Sequence, residues 1–373
     1  MFLEKNILKS KINIERGTQS MRAWAEINIK NLEHNINIIK NISNNHDILG
    51  ILKADAYGHG AIEISKILKK NGIKIFGVAS VDEAIELRKN GIKDDILILG
   101  CVLSDEYDDI IKYNIIITVA SFENIKNIEK YKIYPRIHIA IDTGMGRRGF
   151  FSEEFLKAYN YIKNNKIAKI EGIYSHFSVA DVEEEKKYTI NQLREFEKLT
   201  HNIEVKYKHI SNSAGIINYL DKTNSNLIRP GIALYGINTT KKELDLRNVL
   251  KFKSRIVHLK KIDKPRYISY MKKYLAKEGE VIATISAGYA DGVKRAFSNK
   301  GYVKIHNVKC KIVGLVCMDQ FMVSIDSSIV DKVKLGDEVI IYDENISELA
   351  SMIDTIPYEL LTSLTKRVKR VYL

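Results

Sequence analysis

The sequence predicts an α/β fold: a parallel (β/α)8 barrel of the TIM type, followed by a mostly β C-terminal domain. Eight apolar runs rich in β-branched residues recur through the first part of the chain, with helical periodicity between several of them. Further strand-like runs with little helical pattern follow. A doubly wound open sheet is the alternative, although such a sheet usually has fewer strands. The eight runs cover residues 48–52, 74–80, 95–100, 115–120, 136–142, 169–176, 205–211 and 227–236.

The sequence pattern changes near residue 240. Beyond it, runs such as GEVIATISAG, CKIVGLVCM and DEVIIY are separated by short turns, which indicates an antiparallel β domain. We assign the barrel to 21–240 and the β-rich domain to 241–373, and the early strand 23–29 can instead join the C-terminal sheet. Residues 1–20 are charged throughout and lack the apolar core of a signal peptide, so we interpret them as a flexible leader.

The composition argues against several classes of protein. No apolar run approaches the roughly 20 residues that span a bilayer, so we expect no membrane segment. The net charge is +13, but the lysines are spread over the chain and only the terminal TKRVKRVYL is densely basic, so we expect no nucleic-acid partner. The three cysteines form no CxxC pair and the nine histidines form no cluster. We therefore expect a cytoplasmic protein without a metal site.

The segment ILGILKADAYGHG places Lys53 directly after the first apolar run of the barrel. Tyr57 and two glycines follow, and then an amphipathic helix with Ala61, Ile64 and Leu68 on one stripe. An ammonium group between a buried strand and a glycine-rich turn is partly desolvated. Desolvation lowers its pKa and exposes the neutral amine, which attacks carbonyls. The alternative is a solvated surface lysine, one of 59 lysines and arginines.

Residues capable of chemistry lie at the ends of other predicted strands as well. In a barrel of this kind the carboxyl ends of the strands meet at one face, where active sites lie. We therefore expect one amine, two guanidinium groups, an imidazole, hydroxyl groups and a glycine-flanked backbone to converge there. The residues are Lys53, Tyr57, Asp142, Arg147, His176, Ser211, Asn212, Ser213, Arg229, Gly231 and Ile232.

Each of these residues also has a purely structural interpretation. His176 can be a hydrogen-bonded core histidine, Ser213 can be a helix N-cap, and Gly231 can belong to a turn after Pro230. Arg229 is harder to explain in this way, because burying a guanidinium group without a partner is costly. The convergence of so many polar groups on one face favours a functional site.

The run from Gly144 to Gly149 matches the GxGxxG pattern of dinucleotide-binding proteins. It follows a predicted strand, and Glu171 comes at about the expected spacing for a ribose contact. However, two charged residues stand where the helix should approach the sheet, and Glu171 opens its strand instead of closing it. A nicotinamide-dependent dehydrogenase therefore stays a minor alternative.

Nine motifs occur along the chain in an order that resembles one known family. They are RAWAEINIKNLEHN, KADAYGHG, DTGMGRRG, EGIYSHF, SNSA, RPGIALYG, SAGYADG, VCMDQFM and PYELLTSLTKRVKRVY. From Met21 to Leu373 the sequence resembles the alanine racemases, which are fold-type III enzymes dependent on pyridoxal 5′-phosphate (PLP). The resemblance implies a head-to-tail homodimer with shared active sites. It also implies the interconversion of L-alanine and D-alanine, which supplies D-alanine for peptidoglycan.

The resemblance further implies roles for individual residues. Lys53 forms the Schiff base with PLP and is one catalytic base, and Tyr270 is the second base and reaches into the partner subunit's site. Arg229 faces the pyridine nitrogen with His176 beside it, and Arg147 lies near the phenolic oxygen and the substrate. The residues matching the phosphate cradle are Tyr57, Ser213, Gly231 and Ile232. The residues matching the remaining substrate contacts are Met318, Asp319 and Tyr289.

The sequence departs from the family pattern at three places. Many relatives have a carbamylated lysine where this chain has Ala140, so Arg147 must be held in another way, by an anion or by water. Tyr270 is followed by Met271 and two lysines, where relatives usually have a glycine and a short polar run. Lys366 stands where some relatives place a tyrosine against the phosphate. These departures bear on substrate breadth and cofactor affinity.

Two further functional hypotheses stay open. One is a related PLP racemase that acts on serine, lysine or another amino acid. The other is a non-catalytic PLP-binding barrel. Such carriers are usually single-domain proteins without a partner tyrosine, so the β domain and Tyr270 argue against this second hypothesis.

Overall fold

The chain divides into two compact units. The computed structural model describes residues 21–43 and 46–373, and the interpretation of 1–20 as a flexible leader lies outside these residues. One unit is Lys30–Arg247, and the other combines Asn248–Leu373 with the chain up to Ile29. Strand β1 (Ala23–Ile27) therefore belongs to the second unit, although it comes first in the sequence.

The described part of the first unit contains eight parallel strands, one at each of the eight apolar runs. They are β2 (Asp47–Ile51), β3 (Ile75–Val78), β4 (Asp95–Ile98), β5 (Ile117–Val119), β6 (Arg136–Ala140), β7 (Lys169–Tyr174), β8 (Tyr207–His209) and β9 (Leu227–Ile228). The pairing orders are β4-β3-β2-β9 and β5-β6-β7-β8.

Backbone contacts close these two half-sheets into one barrel. On one side, β4 and β5 meet through a parallel bridge between Leu97 and Ile116. On the other side, the Asn226 N–H donates to the Lys208 carbonyl at 3.1 Å, and the Arg229 N–H donates to the Ser211 carbonyl at 3.1 Å. The expectation of a closed barrel with a following β domain is confirmed, and the open doubly wound sheet is wrong.

Helices connect the strands of the barrel, and their apolar stripes explain why they form. In the helix after Lys53, the predicted stripe of Ala61, Ile64 and Leu68 is buried, and each large aliphatic side chain contributes about 1.5–3 kcal/mol on burial. The helices are α1 (Ile29–Ile42), α2 (Ala61–Lys70), α3 (Val81–Lys89), α4 (Tyr107–Lys112), α5 (Phe122–Lys130), α6 (Ser152–Asn164), α7 (Lys186–Thr200) and α8 (Ser213–Tyr219).

The eighth strand is much shorter than the predicted run over 227–236. It ends at Ile228, and Ile232–Tyr235 form a short 3-10 helix instead. Pro230 explains the difference, because proline has no N–H to donate to a neighbouring strand. Arg229 therefore lies just after the strand and at the carboxyl end of the barrel.

The second unit is a mostly antiparallel β structure. Its later strands are β10 (Leu250–Lys261), β11 (Arg266–Ile268), β12 (Tyr274–Ala276), β13 (Val281–Ile285), β14 (Tyr302–Ile305), β15 (Val308–Val313), β16 (Phe321–Ser324), β17 (Glu338–Tyr342) and β18 (Lys369–Tyr372). The main sheet has the order β13-β16-β15-β14-β17-β10-β1-β18, and β13 also pairs with β10. Two short helices, α9 (Ile346–Met352) and α10 (Pro357–Thr362), precede β18.

Strand β1 pairs with β10 antiparallel and with β18 in parallel. Its Trp24 is fully buried, and the Arg255 guanidinium lies 5.0 Å from the Trp24 ring centroid. Phe252 and Tyr342 pack against each other in the same core, with ring centroids 5.3 Å apart. Within the described residues, no helix is long and apolar enough to cross a membrane.

Candidate active site

Lys53 stands directly after β2, where the backbone makes an unusual turn. The four residues from Ala54 to Tyr57 all have φ of 53°, with ψ between 42° and 51°. This is a left-handed turn without glycine, and each such residue costs roughly 1–2 kcal/mol. The expected glycine-rich turn is therefore wrong in detail, because the strained positions precede the glycines. The surrounding structure has to stabilise this conformation.

Two carboxylates hold the left-handed turn. Glu83 Oε1 accepts the Ala54 N–H at 2.7 Å, and Glu83 Oε2 accepts the Ala79 N–H, also at 2.7 Å. One side chain thus joins the backbone just after β2 to the backbone just after β3. At the other end of the turn, Asp55 Oδ1 accepts the Ala61 N–H at 2.7 Å. These bonds fix the backbone that carries Lys53.

The electrostatic surroundings of Lys53 favour its neutral amine. Burial lowers the pKa of the ammonium group, and Arg147, Arg148 and Arg229 lower it further, while Glu83 opposes them. The Nζ atom lies 5.9 Å from the centroid of the Tyr57 ring. A desolvated amine among cations is suited to attack a carbonyl and to accept a proton.

Arg229 is buried, and every partner of its guanidinium group is neutral. Nη1 donates to His209 Nδ1 at 2.7 Å. The two hydrogens of Nη2 are shared among three acceptors, the Ser175 carbonyl at 2.7 Å, the Ile210 carbonyl at 3.0 Å and His176 Nδ1 at 3.0 Å. Burial is the main reason why the pKa of Arg229 falls to about 10. The group still carries a full positive charge near neutral pH.

The partners of Arg229 fix the protonation of two histidines. Arginine can only donate, so His209 and His176 must each present an unprotonated Nδ1. Burial lowers the pKa of both imidazoles well below the usual value, and Arg229 lowers it further. His176 is thus a hydrogen-bonded histidine whose Nδ1 accepts from the buried guanidinium group. The described residues contain no group of three His, Cys, Asp or Glu side chains that could hold a metal ion.

Arg147 lies in the loop after β6. Burial and the neighbouring Arg148 lower the pKa of its guanidinium group. Ala140, which replaces the lysine of many relatives, is buried in a small cluster with Ala120 and Tyr174. The Ala140 side chain has no polar atom, so it cannot hold Arg147 through a hydrogen bond or an ion pair.

The loop containing Gly144 and Gly146 is organised by a carboxylate. Asp142 Oδ1 accepts the Gly144 N–H at 2.9 Å and the Gly146 N–H at 3.0 Å. Glu171 lies near the start of β7 and pairs with Arg136 and with Lys169 at 2.8 Å each. The Glu171 carboxylate is thus occupied in ion pairs.

Several groups that could hold a phosphate come together after β8 and β9. Ser213 Oγ accepts the Gly231 N–H at 3.0 Å and the Ala233 N–H at 3.3 Å. A Cβ atom at Gly231 would lie 2.6 Å from the Tyr57 hydroxyl oxygen, so only glycine allows this approach. The N-cap of α8 is Asn212, whose side chain accepts the Gly215 N–H at 2.9 Å. The interpretation of Ser213 as the N-cap is therefore wrong.

The remaining predicted site residues lie in the second unit. Tyr270, Met318 and Tyr289 are 69%, 53% and 44% exposed. The Tyr289 N–H donates to the Cys317 carbonyl at 3.0 Å, which ties the Tyr289 turn to the segment before Met318. Asp319 pairs with Arg367 at 2.7 Å. The structure thus gathers the predicted residues into two groups, one in each unit.

The first unit is a closed parallel barrel with a desolvated lysine and a buried arginine at its carboxyl end. An antiparallel β unit follows it in the sequence. These features define a two-domain barrel enzyme. Two family profiles match the chain, described as "Alanine racemase, N-terminal domain" over residues 27–239 and "Alanine racemase, C-terminal domain" over residues 249–372. The chain belongs to the alanine racemase family, and it is an amino-acid racemase, an isomerase.

Individual relatives are similar over nearly the whole chain. The alanine racemase of Fusobacterium nucleatum is 40% identical over 353 residues, which cover 94% of this chain and 99% of the relative. The alanine racemase of Clostridium novyi is 41% identical over 373 residues, covering 94% of this chain and 95% of the relative.

Solved structures show the same likeness. The structure of alanine racemase from Clostridium difficile 630 has a TM-score of 0.88 and 38% identity, covering 95% of this chain and 96% of that one. A structure of that protein in complex with cycloserine has a TM-score of 0.86 and 36% identity, with the same coverage.

Three residues that support the site, Glu83, His138 and His209, were not predicted from the sequence. Glu83 was signalled by the Ser80-x-x-Glu83 pattern of a capping box, because such a glutamate reaches back to backbone N–H groups. His138 and His209 stand in barrel strands, where alternation leaves open which neighbour each ring meets. Only the pairing of β6, β7 and β8 shows that the two rings are in contact.

Proposed function

We propose that this chain interconverts L-alanine and D-alanine with PLP as cofactor, by a two-base mechanism that uses residues from two subunits. The observation that carries the proposal is the desolvated amine of Lys53, which shares the carboxyl end of the barrel with a buried, permanently charged Arg229. The same arrangement fits PLP. The amine can react with its aldehyde, the hydroxyl and amide groups can donate to its phosphate, and the guanidinium group can face its ring nitrogen.

The barrel residues would hold the cofactor in the following way. Lys53 would bind it covalently through Nζ, and Arg229 would face the pyridine nitrogen with His176 beside it. The residues that would hold the phosphate are Tyr57, Ser213, Gly231 and Ile232. When bound, PLP supplies an electron-withdrawing ring that delocalises the charge left after an α-proton is removed.

Racemisation needs a proton acceptor on each face of the substrate carbon. Lys53 Nζ would take or return the proton on one face, because its lowered pKa favours the neutral amine. Tyr270, which is 69% exposed in its own chain, would reach from a second copy to the other face. Each well-placed base contributes roughly 10²–10⁴-fold to the rate.

Arg229 would keep a proton off the pyridine nitrogen. Its guanidinium group has no lone pair to accept that proton, and its neutral acceptors leave its positive charge uncompensated. A positive charge beside the ring disfavours ring protonation. The site would thus give up some acidity of the α-proton, and it would suppress transfer of the amino group to the cofactor.

The remaining predicted residues would bind the substrate. Arg147 would orient the substrate beside the phenolic oxygen of the cofactor. Met318, Asp319 and Tyr289 would line the side contributed by the partner subunit. We further propose a homodimer in the cytoplasm that supplies D-alanine for peptidoglycan, with no nucleic-acid or membrane partner.

The decisive experiment is a panel of L-amino acids incubated with the PLP-loaded protein, followed by chiral chromatography. We expect D-alanine as the dominant product. Preferred racemisation of serine or lysine would instead establish the related-racemase alternative, and no racemisation of any amino acid would refute the proposal.

Borohydride reduction followed by peptide mapping tests the cofactor link. The peptide containing Lys53 should carry the reduced cofactor, and a fully loaded protein with that peptide unmodified would contradict the assignment. Tyr270→Phe should slow proton exchange from one enantiomer much more than from the other. Equal isotope exchange from both enantiomers would count against two bases.

A further inference from the structure

A second histidine lies behind the partners of Arg229. His138 is in the middle of β6 and fully buried, and its Nδ1 lies 2.8 Å from His209 Nε2. A Cβ atom at position 172 would lie 2.6 Å from the His138 ring, so Gly172 on the neighbouring strand leaves the space that the ring occupies. His138 contacts neither Arg229 nor any of the predicted cofactor ligands through a hydrogen bond in the described chain.

The position of every proton in this chain of groups follows from Arg229. Its Nη1 donates to His209 Nδ1, so that nitrogen carries no proton. The neutral His209 ring must then be protonated at Nε2, and this N–H can only donate to His138 Nδ1. His138 is consequently protonated at its own Nε2. The guanidinium group therefore donates to His209, and His209 donates to His138.

Burying the His138 ring is costly to the free energy of folding. Its Nε2 is buried and has no hydrogen-bond partner within the described residues. A buried polar group without a partner costs about 1–3 kcal/mol. Burial also lowers the pKa of His138 to about 3, so the ring is not held by charge. An apolar side chain at position 138 would fill the same space without this cost. Compared with such a side chain, histidine adds the hydrogen bond to His209.

We propose that His138 is a positioning residue for Arg229, acting through His209, which it holds in the ring orientation that accepts the guanidinium group. This inference rests on the proposed function, because Arg229 is the group assigned to the pyridine nitrogen. Without His138, the His209 N–H loses its acceptor, and the stacking of the His209 ring on Tyr174, with ring centroids 5.0 Å apart, is left to hold the ring toward Arg229. The guanidinium group then loses one of its fixed acceptors.

The test uses a matched pair of variants, His138→Asn and His138→Leu. Asparagine and leucine have nearly the same shape, but only asparagine places an oxygen where Nδ1 stands. We expect His138→Leu to lower kcat about tenfold with KM unchanged, and to raise pyruvate formation per racemisation about tenfold. His138→Asn should stay within about twofold of wild type in both quantities. Equal losses in the two variants would mean that the ring only fills space, and would overturn the proposal.

A measurement on the unmutated holoenzyme keeps the proposal testable if the variants fold poorly. In protein with ¹⁵N-labelled histidine, the His209 ring should show a protonated Nε2 and an unprotonated Nδ1 at neutral pH. A protonated Nδ1 would overturn the proposal. Failure of the proposed function and failure of the role of His138 give different results. If the wild-type protein racemises no amino acid, the proposed function is refuted. If it is active and His138→Asn and His138→Leu behave alike, only the role of His138 is refuted.

Discussion

Two arginines of the same barrel have opposite surroundings. Arg136 begins β6, and its guanidinium group binds Glu171 and Asp95, with Nη2 2.8 Å from each carboxylate. Arg229 follows β9 at the other end of the barrel, and its hydrogen-bond partners among the described residues are all neutral. Hydrogen bonds to the two carboxylates outweigh burial and raise the pKa of Arg136, whereas burial lowers the pKa of Arg229.

The contrast separates a structural ion pair from a functional cation. At Arg136 the charges neutralise each other, and the ion pairs join the starts of β4, β6 and β7. At Arg229, carbonyls and imidazoles satisfy the N–H groups but leave the charge in place. A buried charge that is hydrogen-bonded without being neutralised is costly to the fold, and it can act on a ligand. The two ends of the barrel should therefore respond differently to substitution.

Arg229→Glu should have the largest effect. A carboxylate in this position would favour a protonated pyridine nitrogen and leave His209 and His176 without their donor. We expect racemisation to fall by roughly 10²–10³-fold, and the share of turnovers that yield pyruvate to rise. A coupled assay with lactate dehydrogenase measures the pyruvate, after thermal unfolding shows that the variant is folded. An unchanged share of pyruvate would contradict the role given to this charge.

Arg136→Met should affect stability and spare catalysis. It leaves the Glu171 carboxylate buried without its main partner, and breaking a buried pair in this way costs about 3–5 kcal/mol. Urea unfolding measures the loss, and racemisation per folded molecule should stay unchanged. Lys169→Met is the matched control, since this exposed partner of the same carboxylate should contribute less than about 1 kcal/mol. Equal losses in the two variants would show that burial does not distinguish them.

Glu83→Gln tests whether charge near Lys53 matters for chemistry. The amide can accept only one of the two N–H groups, and it no longer opposes the neighbouring arginines, so the pKa of Lys53 should fall further. We expect kcat to drop about tenfold, with the reaction of Lys53 toward an amine-specific reagent persisting at lower pH. Glu86→Gln, an exposed change on the same helix, is the control. If kcat and the pH dependence of the Lys53 reaction are the same in the two variants, Glu83 serves only as a helix cap.

Acid unfolding should proceed in two stages. The pKa of His138 is about 3 in the folded chain, so the unfolded state binds more protons below pH 6.5 and stability falls as the pH drops from there. Although burial alone would raise the pKa of Glu171, hydrogen bonds from Arg136 and Lys169 lower it to about 2. The contribution of Glu171 is therefore present above about pH 4.3 and lost as the pH falls toward 2.

Each group can contribute a slope of up to about 1.4 kcal/mol per pH unit. Denaturant unfolding between pH 7 and pH 3 measures both stages. His138→Asn should make the upper stage less steep, since His176 and His209 also contribute to it, and Arg136→Met should flatten the lower stage. A free energy of unfolding that stays constant between pH 6.5 and pH 5 would disagree with the buried neutral imidazoles.

Much of the barrel was predictable because most of its strands are buried on both faces and are apolar in sequence, although β8 contains a half-buried Lys208. The exception was the last strand, where Pro230 ends the ladder although the apolar pattern continues. The left-handed turn after Lys53 was not predictable. Ala54 and Ala56 disfavour that region, and the turn is held by the Asp55 carboxylate and by Glu83, which is distant in the sequence.

The candidate site was predictable to a similar degree. Strand ends identified Lys53 and Arg229, because topology alone brings carboxyl ends together. The hydrogen bonds from Arg229 to His209 and from His209 to His138 depend on which residues face each other across β6, β7 and β8. That register is set by packing of the whole barrel, and a local sequence pattern does not contain it.

The position of β1 constrains how this protein is made. It is synthesised before the entire barrel, yet its two neighbours are the first long strand after the barrel and the last strand of the chain. The apolar segment around Trp24 therefore has no strand to pair with until the whole barrel and then β10 have been synthesised. Its second neighbour, β18, comes later still, and removal of β18 would expose an edge of β1.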